Sequence, residues 1–274
     1  MLVCTLGDVL LDVLVRTAEP LSLGADSPVE TRLATGGQAA NVASWVAELG
    51  GKARCIAQQA DDEAGALARR LLEARGVELV GPRVAGKTGV VVSLVAADGE
   101  RTMATDRGVS TELRADELDP GWLDGCSWLA VSGYALLAEP IAEAALAAVR
   151  TARARGARVS VDLSSWSAIR AYGADRFRAN LDAAAPDVVF ANEPEWEMAG
   201  GAYAVAATAI VKRGSRGVEV RTADGVEEHP PLAAEVVDTT GAGDALAAGF
   251  LVGGIELGLD AAAQAIEHLG AVPS

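Results

Sequence analysis

Cysteine is sparse in this chain and has no pattern. Cys4, Cys55 and Cys126 are scattered, odd in number and form no CxxC pair. That excludes a disulfide framework and a zinc site, and it suits reduced thiols in a cytoplasmic protein. Histidine numbers two; His229 and His268 have no partners at metal spacing and read as surface or loop residues. Basic charge is in deficit, with 38 acids against 23 bases and a net charge of −15. A surface this acidic repels nucleic acid and anionic membranes, so neither is expected as a partner. An anionic substrate then has to be held by a local positive site. No run is long and apolar enough to span a bilayer. The apolar start, MLVCTLGDVLLDVLVR, is broken by Asp8 and Asp12 and lacks a basic head and a cleavage site. It reads as strands and not as a signal peptide.

What is present is apolar material, 50% of 274 residues, enough for a sizeable core in one α/β domain. Short β-rich runs alternate with Ala/Leu/Arg segments of helical period. The pattern predicts strands over Leu2–Leu6, Arg54–Gln58, Trp128–Val131, Arg158–Asp162, Val188–Ala191 and Ala209–Lys212. Helices are predicted over Gln38–Leu49, Glu63–Arg75, Pro140–Arg155, Asp175–Ala184 and Glu193–Ala199. Near-continuous apolar strands separated by helices imply a mostly parallel sheet covered on both faces. Two stretches break the rhythm: Val9–Arg16 with Val29–Leu33, and Gly89–Ala97 with Arg101–Thr105 around an Asp98-Gly99 turn. Both read as antiparallel strands of a small separate sheet. A further hairpin is expected after the Gly214–Gly217 turn.

The stretch richest in chemistry is Asp238-Thr-Thr-Gly-Ala-Gly-Asp244, followed by a helical run of small and apolar residues. Glycines about a small residue let backbone N–H groups converge, and a helix opening there adds its positive end, which together make an anion hole. An acid inside an anion hole repels the anion. Catalysis explains its presence: Asp244 would accept the proton of an attacking hydroxyl. At a helix N-terminus it is expected to be a stabilised anion and so a weak base. The alternative is a plain turn with a capping Asp. No Gly-Lys-Ser/Thr follows, so this is no Walker A loop. Leu246 stands where a dinucleotide fingerprint needs its third glycine, which disfavours an oxidoreductase.

DTTGAGDALAAGF resembles the C-terminal signature of the ribokinase-like carbohydrate kinases, the PfkB family. GGQAANVASWVAELG at Gly36–Gly50 resembles its N-terminal signature. Weaker likenesses lie at Asp61–Gly65, Asp98–Thr102, Asn192-Glu-Pro-Glu195 and Lys212–Gly217, so the resemblance covers essentially the whole chain. It implies a three-layer sandwich with a mostly parallel central sheet, one domain over residues 1–274, and a small β lid inserted at about 9–34 and 89–106. It implies ATP, magnesium and, in relatives that it activates, potassium. The activity implied is transfer of the γ-phosphoryl group to a hydroxyl of a small sugar or nucleoside, a ribose-like sugar first, then pseudouridine or another nucleoside, then a sugar acid. A non-catalytic binding protein of the same fold is the reading from another class.

The resemblance assigns roles. Asp244 would be the base, with Gly241, Ala242 and Gly243 as the anion hole. Asp12, Gly36, Gly37 and Asn41 would bind the acceptor. Asn192, Lys212, Gly214 and Gly217 would lie at the nucleotide, with Glu195 organising magnesium through water. Asp238 and Thr240 would stand by a monovalent-cation loop. The lid would mediate a homodimer. The residues themselves leave some of this open: Asn-x-x-Glu is also a helix start signal, and Asp8 and Asp12, at period two, are either cleft or surface acids. Three departures stand out. Only Val252–Ser274 follow the catalytic helix, which leaves the adenine pocket and the cation loop short of residues. Gly200–Ala207 is short for a helix. Gln38 replaces a lysine of ribokinase, and Asp162-Leu-Ser-Ser165 lacks the usual Asn and Arg. A sugar acid would want a basic partner, for which Arg107 is the one candidate, although it reads first as a solvated surface residue; Trp166 is a weak candidate for stacking on a ring.

Overall fold

The computed structural model describes residues 1–273 apart from 18, 20, 22, 23, 97–100 and 202–207. In chain order the elements begin with β1 (Leu2–Leu6), β2 (Leu10–Arg16), β3 (Glu30–Gly36), α1 (Gln38–Glu48), β4 (Lys52–Ile56), β5 (Gln59–Ala60) and α2 (Glu63–Ala74). They continue with β6 (Val77–Val80), β7 (Arg83–Val84), β8 (Thr88–Val95), β9 (Arg101–Gly108), β10 (Cys126–Ser132), α3 (Ile141–Ala154) and β11 (Arg158–Asp162). The remainder are α4 (Trp166–Tyr172), α5 (Ala174–Ala184), β12 (Val188–Asn192), α6 (Glu193–Met198), β13 (Thr208–Lys212), β14 (Val218–Thr222), β15 (Gly225–His229), α7 (Ala242–Gly253) and α8 (Ile255–Ile266).

The large sheet runs β15-β14-β13-β12-β11-β10-β1-β4-β6. Every pairing from β13 to β6 is parallel, and β14 and β15 close one edge as an antiparallel hairpin. Period-two alternation sends neighbouring side chains of a strand to opposite faces. Val3 thus packs with α1, α2, α7 and α8, whereas Cys4 and Leu6 pack with α3, α5 and α6. All three cysteines are buried and free.

Strands β3-β2-β8-β9 form the separate lid, with β2 parallel to β8 between two antiparallel outer pairs. Against an expectation of lid strands at about 9–34 and 89–106, these strands occupy Leu10–Arg16, Glu30–Gly36, Thr88–Val95 and Arg101–Gly108, and the Asp98-Gly99 turn lies outside the described residues. So do residues 202–207, on which the expectation of a trimmed edge rests. The chain visits β4 and β6 on one side of β1, then β10 to β13 on the other. Ligands of open α/β sheets sit at such a reversal, beyond the strands' carboxyl ends.

The stretch after α7 is fuller than expected. α8 packs back on α7, and Gly258 passes so close that a Cβ there would lie 2.8 Å from Leu246 O. The segment beyond α8 then returns beneath the site: Trp45 Nε1 donates to Ala271 O at 2.9 Å, and Gly270 N donates to Asp238 Oδ2 at 3.0 Å.

Candidate active site

A cleft of about 1110 Å³ opens at the carboxyl ends of β10 to β13, between the main sheet and the lid. Asp8, Asp12, Gly37, Asn41 and Arg107 line its lid end; Asn192, Glu195, Lys212, Gly214, Thr240, Gly241 and Gly243 line the other; Asp244 faces it between them.

Gly241 starts α7 in the left-handed region, at φ 78°. A Cβ there would sit 2.4 Å from Ala271 O, so both backbone shape and space require glycine. At Gly243 a Cβ would meet Lys212 Nζ at 3.1 Å, so the bare backbone lets an ammonium approach. Ala242 does not join this surface. Its side chain packs on the core beneath α7 and its N–H donates to Thr239 O at 3.4 Å. Successive helical residues point about 100° apart, so three consecutive residues cannot all face one cleft.

Asp244 takes a hydrogen bond from Asn41 Nδ2 at 2.9 Å. The expected weak base is not what the structure holds. Burial, then the nearby Asp162 carboxylate, pushes Asp244 up to about 7, against the opposing pull of Asn41, Lys212 and Gln38. Desolvation outweighs the helix end, and a carboxyl near 7 is suited to take a proton at neutral pH.

Lys212 ends β13 and its Nζ lies 2.7 Å from Asp162 Oδ2, at the end of β11. Burial alone would lower it, but Asp162, Glu195 and Asp244 outweigh burial and hold the ammonium above its ordinary value. Asn192 and Glu195 form a full capping box: Asn192 Oδ1 accepts from Glu195 N at 2.9 Å, and Glu195 Oε2 accepts from Asn192 N at 2.8 Å. Both still line the cleft, so the helix-start role does not remove them from it. Burial pushes Glu195 up despite Lys212.

At the lid end, Gly36 leaves room for Asp12: a Cβ there would lie 1.7 Å from Asp12 Oδ1. Gly36 itself does not line the cleft. Asp12 Oδ1 and Asn41 Oδ1 are buried with no partner among the described residues. Buried acceptors of this kind need a donor, and hydroxyls of a polyol supply one. Burial pushes Asp12 up to about 7.

Arg107 is not a solvated surface residue. Nε and NH2 donate to the two Asp8 oxygens at 2.8 Å each, and NH2 donates to Tyr134 O at 3.2 Å. Sequence reading missed this pair because its members lie 99 residues apart. It also missed Gln38, Asp162 and Ser164 as site residues; the only signal was that each departs from the family pattern. Gly217 falls outside the cleft, pressed against the His229 backbone at the hairpin edge, where a Cβ would lie 2.0 Å from His229 O. Trp166 does not line the cleft either; Arg170 covers its ring.

Among the described residues no cluster of three acids, cysteines or histidines could cage a metal. Magnesium needs no cage, because it binds through water, phosphate oxygens and one or two carboxylates. Glu195 and Asp162 fit that pattern. Asp238 is buried behind the loop: Oδ1 accepts from Thr240 N and Oγ1, and Oδ2 accepts from Gly270 N. It fastens the anion-hole turn to the returning segment, whereas Thr240 reaches the cleft.

Residues 2–270 match the family described as pfkB family carbohydrate kinase. An ATP-dependent ribose-1-phosphate kinase of Halopiger xanaduensis is 37% identical over 260 residues, covering 91% of this chain and 83% of that one. A fructokinase of Escherichia coli is 31% identical, covering 94% and 85%. The crystal structure of adenosine kinase from Sinorhizobium meliloti superposes with a TM-score of 0.87 at 26% identity, covering 99% of this chain and 95% of that one.

Proposed function

This chain belongs to the pfkB family of carbohydrate kinases, and from that membership we propose that it moves the γ-phosphoryl group of ATP to a hydroxyl of a ribose-like sugar. One observation carries the reading. Asn41 and Asp244, 203 residues apart and one from each family signature, meet at 2.9 Å inside the cleft. That contact joins the acceptor end to the anion-hole end at a single carboxylate.

The acceptor's hydroxyls satisfy Asp12 Oδ1 and Asn41 Oδ1, which orients one hydroxyl toward Asp244. Its oxygen bonds to the γ-phosphorus as the bond to the β–γ bridging oxygen breaks and ADP leaves. The proton passes to Asp244. In a loose transition state this transfer is late, so Asp244 first orients the nucleophile. The N–H groups at Gly241 and Gly243, the start of α7 and the Lys212 ammonium meet the charge that develops on the transferring group. Glu195 and Asn192 would hold magnesium through water, and that ion would supply further neutralisation of the ATP phosphates. Asn192, Lys212 and Gly214 are the nucleotide contacts, and Asp12, Gly37 and Asn41 the acceptor contacts.

The neutralised Asp8–Arg107 pair favours an uncharged acceptor over a sugar acid, since the arginine is already committed to a carboxylate. A nucleoside is the second reading, favoured by the fold-wide likeness to an adenosine kinase. The test is ADP release with magnesium over ribose, ribose 1-phosphate, fructose, adenosine, pseudouridine and sugar acids. Ribose or a close relative should give the highest kcat/KM. A folded protein silent toward every acceptor refutes the kinase reading and leaves a binding role. Added to the same assay, potassium should raise the rate if Thr240 lies beside a cation. Leu33, exposed on the lid, supports a lid-mediated homodimer, which sedimentation would detect.

A further inference from the structure

Asp162 ends β11 and Lys212 ends β13, with β12 running between them. Strands two places apart lie roughly 10 Å apart, so only a long side chain spans the gap. Lys212 does: its Nζ donates to Asp162 Oδ2 at 2.7 Å, and both side chains are largely buried. Among the described residues that carboxylate is the hydrogen-bond partner of the ammonium. At its other end the ammonium lies against bare backbone, 3.1 Å from where a Cβ of Gly243 would stand.

The carboxylate is itself held. Ser164 N donates to Asp162 Oδ1 at 3.0 Å. Ser164 presents that N–H from the left-handed region, at φ 69°, where residues with a Cβ are strained and which gathers at functional sites. Its hydroxyl donates to Gln38 Oε1 at 2.6 Å, and Ser132 Oγ donates to the same oxygen at 2.7 Å. A chain of hydrogen bonds thus runs from the start of α1 through Ser164 and Asp162 to the ammonium beside α7.

A lysine carries its charge on a flexible four-carbon stem. Glu195 and Asp244 line the same cleft, and either would attract a loose ammonium. Paired with Asp244, it would cover the base. Asp162 adds a negative charge beside an anion site, so attraction for phosphate does not account for it. Fixing the cation in advance does. We propose that Asp162 is a positioning residue for phosphoryl transfer: fixed by the Ser164 N–H, its carboxylate anchors the Lys212 ammonium against Gly243 at the mouth of the anion hole. The catalytic consequence rests on the kinase reading; the anchoring does not.

Asp162→Asn is the test, because it keeps the shape and an acceptor for Ser164 but loses the charge that holds Lys212. Its kcat should fall about 10–100-fold, since a preorganised charge acts in the transition state. Its KM for ATP should stay level or fall, because a carboxylate that repels phosphate has gone. In a Lys212→Met background the same change should cost no further kcat, because an anchor without its cation positions nothing. Equal losses in both backgrounds overturn the proposal. So does a loss of kcat that excess magnesium restores, which would make Asp162 a metal ligand instead. Ligand-free protein gives a readout that needs no acceptor. The Lys212 ammonium should give a slowly exchanging side-chain N–H signal by NMR, identified by its loss in Lys212→Met, and that signal should vanish in Asp162→Asn. Its persistence there overturns the anchoring whatever the activity. A parent silent toward every acceptor refutes the kinase reading and leaves this signal to decide. An active parent with an Asp162→Asn kcat within about twofold refutes the positioning role alone. Should Asp162→Asn not fold, Asp162→Glu keeps the charge and moves it by one methylene. It should lose kcat in the parent but not in the Lys212→Met background, and the opposite result overturns the proposal.

Discussion

Asp12 and Asp244 line one cleft, and burial pushes each up to about 7. For Asp244 the consequence is kinetic. The base must be ionised to accept a proton, so kcat/KM for the acceptor should fall below an apparent pKa near 7 and level off above it. For Asp12 the consequence is affinity. Asp12→Asn keeps the size of the side chain but weakens its capacity to accept, so acceptor KM should rise about 10–100-fold with ATP KM little changed. Equal rises for both substrates would contradict this placement. At this scale, residues inside the two motifs were legible because local sequence makes local shape: Gly37, Asn41, Gly241, Gly243 and Asp244 all reach the cleft. Ala242 and Gly217 were misplaced because a motif treats neighbours alike, whereas a helix turn and a hairpin edge point them elsewhere. Arg107 was illegible because its meaning lies in Asp8, brought to it only by the lid.

Most strands and the longer helices follow from apolar periodicity, which is why β1 and β11 appear at the bounds read from sequence. Shorter elements escaped. β6 has four residues and α4 seven, too few for a period to repeat. α8 was not among the expected helices; Gly254, at φ 88°, is the joint between it and α7. The returning segment after α8 couples the anion hole to the rest of the fold through the contact of Gly241 with Ala271. Gly241→Ala should therefore destabilise the protein by about 1–3 kcal/mol, from the left-handed backbone and the displaced segment. Urea unfolding measures the first effect, and a raised KM for ATP reports the distorted hole. A variant as stable as the parent would show that the turn has another conformation available.

Across the whole molecule the same two carboxyls set a pH dependence of stability. Their folded pKa values lie above the unfolded carboxylate value, so between about pH 4 and 7 the folded chain holds more protons than the unfolded one. Their contribution is complete below the unfolded pKa and is lost as pH rises through the folded one. Self-repulsion from a net charge of −15 acts in the same direction. Asp244→Asn removes one of the two and should raise Tm at pH 8 by about 5 °C, a shift that vanishes near pH 4. A Tm gain equal at both pH values would mean that the buried charge is not its source.

The most direct test of the central claim is the turnover of Asp244→Asn at saturating ATP, magnesium and acceptor. The carboxamide fills the same space and keeps a partner for Asn41, but it cannot receive a proton. The expected kcat is lower than that of the parent by about 10³-fold or more. A kcat above a tenth of the parent value would contradict the assignment of Asp244 as the base.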